Sequence, residues 1–226
     1  MKRKKGILFA ADIPDKNKLF EVLDDIKPYI SAIKIGNLVL YQHSLSIIRE
    51  IKNIINIPIL ADLKLLDMPN MVGKITKSAI EAGVDGIMVA GSIGIEGILE
   101  CKKYLNNNLL FVFTQFTHCD GLITEDEANQ YIRLAIDMKC DGVQVPATIK
   151  NRIPKVRNMV GPDVILISCG IGTQKYFENE TEGPSIGSAI RIGADYEIIG
   201  RSIYQNNSPI NAAKSANKII SDLLEL

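Results

Sequence analysis

Short apolar runs rich in β-branched residues recur along the whole chain, and each is followed by a stretch with apolar residues at helical spacing. Two of the helical stretches are LFEVLDDI from Leu19 and LSIIREIKNII from Leu45. The apolar runs predict strands and the stretches between them predict helices. The predicted strands are ILFAAD from Ile7, AIKIG from Ala32, PILADLK from Pro58, GIMVAG from Gly86, LLFVFTQ from Leu109, GVQVP from Gly142, VILISCG from Val164 and YEIIGR from Tyr196.

This alternation indicates an α/β fold. Strands that are apolar on both faces are typical of a parallel sheet covered by helices, and eight of them in strict alternation can close into a barrel. A chain of 226 residues is long enough for one such barrel, and no low-complexity linker interrupts it. We predict a (β/α)8 TIM barrel that forms a single domain over residues 1–226.

The charge balance excludes several classes of partner. Lys plus Arg and Asp plus Glu both number 26, so the formal net charge is zero and no broad field attracts a nucleic acid polymer or an anionic membrane surface. No segment approaches the roughly 20 apolar residues of a membrane span, and the apolar run after MKRKKG stops at Asp12, too early for a signal-peptide core.

The cysteines and histidines form no recognisable ligand pattern. Widely spaced cysteines and isolated histidines predict neither a zinc site nor a disulfide framework, and they favour a cytoplasmic protein with no metal. The residues concerned are Cys101, Cys119, Cys140, Cys169, His43 and His118.

Candidate chemistry lies at the strand ends. In a parallel barrel the loops after the strands converge on one mouth, so residues there are the candidates for catalysis and binding. They are Asp12, Lys34, Asp62, Lys64 and Asp67, then Gln115, Thr117, Gln144 and Pro146, and finally residues 169–174, Gly200 and Arg201.

The stretch ADLKLLDMPN places three charges directly after an apolar strand. Because side chains alternate along a strand, Asp62 and Lys64 point to the same side, and Asp67 follows in the loop. Buried charges must pair, so Lys34 on the second strand is the expected neighbour. The spacing alone fits a catalytic cluster, an ion-pair network that seals the barrel top, or a solvated strand end.

Four segments together carry a family resemblance: ADIPD after the first strand, IKIG in the second, ADLKLLDMPN in the third and IGRSIY in the eighth. From about Ile7 to the last helix the chain resembles the orotidine 5'-phosphate decarboxylase family. The D-x-K-x-x-D element is shared with sugar-phosphate decarboxylases and aldolases of the same superfamily, whereas its continuation D-M-P-N is similar to the orotidylate branch. The resemblance implies a carbon–carbon lyase that converts orotidine 5'-phosphate to UMP without a cofactor.

The resemblance also implies roles for the charged residues. Lys64 would donate a proton to the ring carbon that loses carbon dioxide, and Asp62 would stand beside the departing carboxylate. Asp12 and Lys34 would hold ribose hydroxyls, with Lys34 also a member of the charge network. Asp67 would reach into the neighbouring subunit's site, which implies a homodimer.

Glycine-rich loops after strands seven and eight, SCGIGTQ and GRSIY, are suited to a phosphate, because small residues let backbone N–H groups approach an anion. Arg201 can add a charge-assisted contact beside Gly200. Tight turns are the alternative explanation for the glycines. By resemblance, Gln174 would contact the phosphate and the pyrimidine side. The polar segment 175–184 fits either a loop that closes over the ligand or a surface turn.

The chain departs from the family pattern at three positions. Thr117 stands where a serine is common and keeps a hydroxyl for the pyrimidine, Cys169 replaces a proline before the glycines of loop seven, and Met71 replaces a threonine after D-x-P-N. Two other functions therefore stay open. One is a metal-dependent sugar-phosphate decarboxylase or aldolase, and the other is a nucleotide-binding barrel without catalysis.

Overall fold

Eight parallel strands close into a barrel in the order in which they occur along the chain, which confirms the predicted fold class. The structure is a computed structural model that describes residues 5–117, 123–172 and 183–225. Every strand pairs with its sequence neighbours, and the first strand pairs with the last to complete the ring. The strands are β1 (Gly6–Ala10), β2 (Ala32–Gly36), β3 (Ile59–Leu65), β4 (Gly86–Ala90), β5 (Leu109–Phe113), β6 (Gly142–Pro146), β7 (Ile165–Cys169) and β8 (Tyr196–Ile199).

The helices begin and end at sequence signals that are physically understandable. Asp15 caps the helix Lys16–Ile26 through its carboxylate, Thr124 and Glu127 form a capping box at the helix Glu125–Asp137, and Gly83 ends the helix Pro69–Ala82 in the left-handed conformation. No helix in the described ranges is long and apolar enough to cross a bilayer. The helices are α1 (Lys16–Ile26), α2 (Asn37–His43), α3 (Ser46–Ile54), α4 (Pro69–Ala82), α5 (Gly94–Lys102), α6 (Glu125–Asp137), α7 (Arg152–Val160), α8 (Ser188–Arg191), α9 (Arg201–Tyr204) and α10 (Pro209–Leu224).

The two faces of the strands bury different parts of the core. Outward side chains such as Ile7 and Ile33 pack against the helices in the larger cluster. Inward side chains such as Leu8, Phe111 and Ile167 form a second cluster that fills the barrel interior. Because both faces are buried, the strands read as continuous apolar runs rather than as alternating ones.

The amino ends of the strands, here called the floor, carry a repeated aspartate. Asp85, Asp141 and Asp195 stand immediately before β4, β6 and β8. Each carboxylate accepts a hydrogen bond from a backbone N–H of the preceding strand, at 2.7 Å for Ile59 and 2.8 Å for Leu110 and Leu166. The aspartates of the floor therefore supply hydrogen-bond acceptors for backbone N–H groups near the starts of the strands.

Candidate active site

The carboxyl ends of the strands, here called the mouth, surround a cavity of about 480 Å³. This is the end at which barrels of this type place their chemistry. The lining residues come from both halves of the barrel: Ala10, Asp12, Lys34, Asp62, Lys64, Phe113, Gln115, Phe116, Thr117, Gln144, Cys169, Gly170, Ile171, Ile198, Gly200, Arg201 and Tyr204.

Four charged side chains form one chain of ion pairs along one side of this cavity. The Lys34 Nζ lies 3.4 Å from Asp12 Oδ1 and 3.1 Å from Asp62 Oδ2. The Lys64 Nζ lies 2.8 Å from both oxygens of Asp62. The cluster alternates in sign, with Asp62 bridging two ammonium groups, so each buried charge has a partner of opposite sign.

The backbone at Lys64 differs from the regular strand that the sequence predicts. The register between β3 and β4 shifts between Asp62 and Leu65, and Lys64 has φ of +45°. A non-glycine residue in this left-handed region is strained, and such residues concentrate at functional sites. Asp62 and Lys64 do meet, as alternation predicted, but a β-bulge rather than a regular pleat directs the lysine to the mouth.

Burial and charge act in opposite directions on the cluster. Burial by itself would lower the pKa of Lys34, but the charges of Asp62 and Asp12 outweigh it and raise that pKa. Burial would likewise raise the pKa of Asp62, but Lys34 and Lys64 outweigh it and lower that pKa. Both shifts favour the charged forms, so Lys34 is an ammonium and Asp62 a carboxylate at neutral pH.

An aromatic wall faces the charged side. The Lys64 Nζ lies 5.3 Å from the centroid of the Phe113 ring, within reach of a cation–π contact. Phe116 packs edge to face on Phe113, with ring centroids 4.6 Å apart. The ammonium group therefore has a carboxylate on one side and an apolar ring on the other.

Glycines line another part of the cavity wall. Gly170 lines the cavity with φ of +81°, and Gly172 follows in the same loop with φ of +62°, a region that glycine adopts without strain. A Cβ built on Gly200 would lie 3.0 Å from the Ala10 Cβ, so glycine is needed for the close approach of the two strand ends. The short helix α9 begins at Arg201, which also lines the cavity. Small residues, a helix start and an arginine together form a surface suited to an anion.

The remaining candidates lie in different places. Thr117 lines the same cavity as the charged cluster. Asp67 does not: it is exposed, accepts a hydrogen bond from the Met68 N–H at 2.6 Å, and borders a neighbouring groove that also reaches Lys64. Gln174, and most of segment 175–184, lie outside the described residues.

The sequence alone indicated no role for several residues that line the cavity. Phe113, Phe116 and Tyr204 look like ordinary core residues in the sequence, and only closure of the barrel brings them to the mouth. Gln144 stood among the strand ends without a function. Cys169 is half-buried, and burial raises the pKa of its thiol to about 12, so it is not a thiolate nucleophile at neutral pH.

Across the described ranges, no group of three or more His, Cys, Asp and Glu side chains is arranged to hold a metal ion. The acidic groups of the mouth, Asp12 and Asp62, have lysine ammonium groups as their partners.

The sequence matches known proteins over nearly its whole length. Residues 5–216 match the model of the orotidine 5'-phosphate decarboxylase / HUMPS family. Orotidine 5'-phosphate decarboxylase of Methanococcoides burtonii is 32% identical over 221 residues, which cover 95% of this chain and 96% of the relative. The enzyme of the same name from Pyrococcus furiosus is 32% identical over 220 residues, covering 97% of this chain and 98% of the relative.

Solved structures agree with the sequence matches. The orotidine 5'-phosphate decarboxylase of Pyrococcus horikoshii superposes with a TM-score of 0.84 at 27% identity, covering 95% of this chain and 99% of that one. The orotidine 5'-monophosphate decarboxylase of Methanocaldococcus jannaschii, complexed with the inhibitor BMP, gives a TM-score of 0.86 at 25% identity and covers 96% and 99% of the two chains. The chain belongs to the orotidine 5'-phosphate decarboxylase / HUMPS family.

Proposed function

We propose that this protein decarboxylates orotidine 5'-phosphate to UMP and carbon dioxide without a cofactor. The observation that carries the proposal is the sign-alternating cluster of Lys34, Asp62 and Lys64, which shares one cavity with the glycine-lined surface at Gly200 and Arg201. A nucleotide has its reactive base at one end and its phosphate at the other. A charged cluster and an anion-binding surface in the same cavity suit those two ends.

Lys64 is the proposed proton donor. The bond between the ring carbon and its carboxylate breaks, carbon dioxide leaves, and the electron pair of that bond stays on the ring carbon. The ammonium of Lys64 stabilises the developing negative charge and then transfers a proton to the carbon, leaving a neutral amine. The Phe113 ring lies 5.3 Å from the ammonium and gives it an apolar neighbour on one side.

Asp62 is proposed to destabilise the bound substrate before reaction. Asp12 and Lys34 are proposed to bind the ribose hydroxyls. A carboxylate beside the substrate carboxylate repels it, and the repulsion ends when the group leaves as neutral carbon dioxide. The two lysines hold Asp62 in the charged form that this role needs. Lys34 and Asp12 offer a donor and an acceptor at the cavity wall, which matches the needs of ribose hydroxyls.

Arg201, Gly200, Thr117 and Gln174 complete the proposed substrate contacts. The first two belong to the proposed anion-binding surface, and Thr117, which lines the same cavity, would offer its hydroxyl to the pyrimidine. Binding energy from a remote phosphate can be used to order the charged site, so the phosphate grip should affect turnover as well as affinity.

The active form is proposed to be a homodimer with a second copy of this chain over the groove that Asp67 borders. This groove, of about 810 Å³, is lined by apolar residues of α2 and the loop after β3, among them Tyr41 and Leu66, which are 88% and 67% exposed. Lys64 lines both the groove and the central cavity, so a partner in the groove stands next to the catalytic cluster. An exposed apolar surface that continues into a site favours an obligate partner.

The proposed location is the cytoplasm. Cys101 and Cys140 are free and buried, and burial raises the pKa of both thiols, that of Cys140 to about 12. Such thiols suit a reducing compartment. Fractionation of the source cells with detection of the protein tests this placement, and recovery outside the cytoplasmic fraction would contradict it.

The activity is tested with purified protein and orotidine 5'-phosphate, followed by the loss of orotidylate absorbance. We expect turnover that survives a chelator and does not depend on added magnesium. Magnesium-dependent turnover of a ketose phosphate would instead support the sugar-phosphate lyase. Protection against heat by UMP without any product would support a non-catalytic nucleotide-binding barrel.

Subunit mixing tests the dimer and the role of Asp67 together. Lys64→Ala and Asp67→Ala are each expected to be nearly inactive. A mixture of the two, unfolded and refolded together, should regain turnover, because a hybrid dimer contains one site with Lys64 and the partner's intact aspartate. Turnover no higher than the sum of the separate variants, or a monomer by analytical ultracentrifugation, would contradict the shared site.

A further inference from the structure

Gln144 is the third buried polar residue that lines the central cavity. In the described part of the chain, the polar or charged residues that are both buried and in the cavity lining are Lys34, Asp62 and Gln144, with exposed fractions of 7%, 5% and 3%. The first two belong to the charged cluster. A buried amide in a cavity wall has a desolvation cost that a hydrogen-bond partner must offset.

The barrel register places Gln144 at the level of the catalytic cluster. On β6 it pairs with Phe113 of β5. The ring of Phe113 lies 5.3 Å from the Lys64 Nζ, so the layer that holds Gln144 also faces the ammonium. Thr114 fixes the strand at this point by donating from its hydroxyl to the Gln144 carbonyl at 2.8 Å.

The amide of Gln144 is oriented by a thiol. Its Nε2 donates to the Cys169 Sγ, and the same thiol donates to the Val145 carbonyl at 3.6 Å. Because the thiol hydrogen is directed to Val145, the sulfur presents its lone pairs and selects the NH₂ side of the amide. Sulfur is a weak acceptor, and the NH₂ group carries a second N–H. A strong acceptor in the cavity is therefore the better partner for this donor.

A substrate carboxylate is such an acceptor, and the proposed reaction brings one to this layer. The ring carbon that Lys64 protonates is the carbon that bears the carboxylate, so that group lies beside Lys64 and Asp62 when the substrate is bound. Cys169, the partner of Gln144, is within electrostatic reach of Lys64, Asp62 and Lys34. The amide and the carboxylate are thus both placed beside the charged cluster in the same cavity.

Resting on the proposed function, we propose that Gln144 binds the substrate carboxylate through its Nε2 N–H and so distinguishes orotidine 5'-phosphate from its product UMP. The hydrogen bond is strongest in the ground state and fades as the carboxylate becomes neutral carbon dioxide. An interaction of this kind tightens substrate binding without raising kcat. It also leaves the product, which has no carboxylate, less firmly held.

The test replaces Gln144 with methionine, which has a similar shape and no N–H. In Gln144→Met the KM for orotidine 5'-phosphate should rise about tenfold or more, the loss of one hydrogen bond to a charged group, while kcat is unchanged or higher. The Kd of UMP, measured by calorimetry, should change less than about twofold, within the scatter expected for independent sites. Direct titration with orotidine 5'-phosphate in a Lys64→Ala background, where turnover is reduced about a thousandfold or more, should show the same loss in affinity.

Cys169→Ala is the matched control. It removes the sulfur that orients the amide but leaves the amide in place, so its KM should rise less than that of Gln144→Met. Equal losses of affinity for orotidine 5'-phosphate and UMP in Gln144→Met would overturn the inference, because the amide would then serve the ring or the packing. A lower kcat with unchanged KM would overturn it as well. Unmodified protein that fails to decarboxylate the substrate would refute the proposed function, and this inference with it.

Discussion

The floor and the mouth of the barrel use the same charged side chains in opposite ways. At the floor, the carboxylates of Asp85, Asp141 and Asp195 bind backbone N–H groups of neighbouring strands. At the mouth, the carboxylate of Asp62 binds two lysine side chains in a cavity. A carboxylate tied to backbone can move only if the strand moves, whereas one tied to side chains can exchange partners with a substrate.

The counter-charges follow the same division. Lys52 pairs with Asp85, and Arg157 pairs with Asp195 while also donating to three backbone carbonyls. These cations come from helices on the outside of the barrel and join helix to strand. Lys34 and Lys64 come from the strands themselves and point into the mouth. The contacts of the floor therefore suit stability and those of the mouth suit the proposed chemistry, a division expected of this architecture.

The largest expected effect is a difference in turnover between a variant of the mouth and a variant of the floor. Lys64→Ala should reduce decarboxylation by about a thousandfold or more, because it removes both the proposed proton donor and the charge proposed to stabilise the carbanion. Lys52→Ala removes a lysine–aspartate pair at the floor and should leave kcat per folded molecule unchanged. Turnover and UMP binding are measured for both variants, and each should still bind UMP. Equal turnover in Lys64→Ala and the unmodified protein would remove Lys64 from the chemistry.

The second effect is a loss of folding stability, without a loss of kcat, in a variant of the floor. Asp195→Ala leaves the Leu166 N–H without its acceptor and takes the carboxylate away from the half-buried guanidinium of Arg157. Together these changes should cost about 3 kcal/mol in the free energy of unfolding. Urea titration gives that free energy, and kcat measured below the transition should be unchanged. A fall in kcat with little change in stability would show that the floor takes part in catalysis.

The sequence predicted the mouth better than the floor. Eight apolar runs were sufficient to predict the strands, and the charges directly after an apolar strand led to residues that line the cavity at the mouth. The aspartates of the floor were also visible, in V-D-G, C-D-G and A-D-Y before three strands. A single Asp before a strand looks like a turn residue, because its hydrogen bond to an N–H of the preceding strand forms only when the barrel closes.

Two features of the mouth could not be predicted from the sequence. Regular alternation predicts that Asp62 and Lys64 meet, and they do. Their meeting depends on a β-bulge and on a left-handed backbone conformation at Lys64, neither of which has a local sequence signal. Gln144 reads as one polar residue in the strand GVQVP, and only the register with Phe113 gives it a neighbour of catalytic interest. Contacts between residues far apart in sequence depend on closure of the barrel, which single-strand patterns do not encode.

The third prediction concerns pH and the charged cluster. The pKa of Asp62 is lowered by folding, so its carboxylate stabilises the folded state above the unfolded pKa of about 3.9 and this contribution is lost as pH falls through the lower folded pKa. The pKa of Lys34 is raised, so its contribution is complete below the unfolded pKa of about 10.4 and is lost as pH rises through the higher folded value.

Asp62→Asn sharpens this prediction. At pH 7 the variant should be less stable than the unmodified protein, because Lys34 and Lys64 lose their shared partner. The difference in unfolding free energy between the two proteins should narrow as the pH falls through the folded pKa of Asp62, where the unmodified protein loses the same charge. Urea titrations of both proteins at a series of pH values measure this difference in unfolding free energy. A difference that stays constant down to the acid transition would mean that the charge of Asp62 does not stabilise the fold.

The smallest effect compares two glycines, one at each end. Gly170 at the mouth and Gly161 at the floor have φ of +81° and +67°, so alanine at either position should cost about 1 kcal/mol in stability. A Cβ at Gly161 meets nothing within 4 Å, whereas one at Gly170 would lie 3.0 Å from the Cγ2 atoms of Thr117 and Thr148. Crowding of this kind costs about 1 kcal/mol more. The crowding acts on Thr117 in the cavity wall, so Gly170→Ala should lose about fivefold in kcat/KM for orotidine 5'-phosphate, which corresponds to about 1 kcal/mol. Gly161→Ala should leave kcat/KM unchanged.

The double variant Thr117→Ser with Gly170→Ala tests whether the lost activity comes from that contact. Serine keeps the hydroxyl of Thr117 but lacks the Cγ2 atom, so it relieves half of the crowding and leaves the strain at φ of +81° in place. The double variant should recover part of the kcat/KM that Gly170→Ala loses, while its stability stays below that of the unmodified protein. An equal loss of kcat/KM in Gly161→Ala would mean that backbone strain at either end disturbs the site, and the separation of floor from mouth would fail.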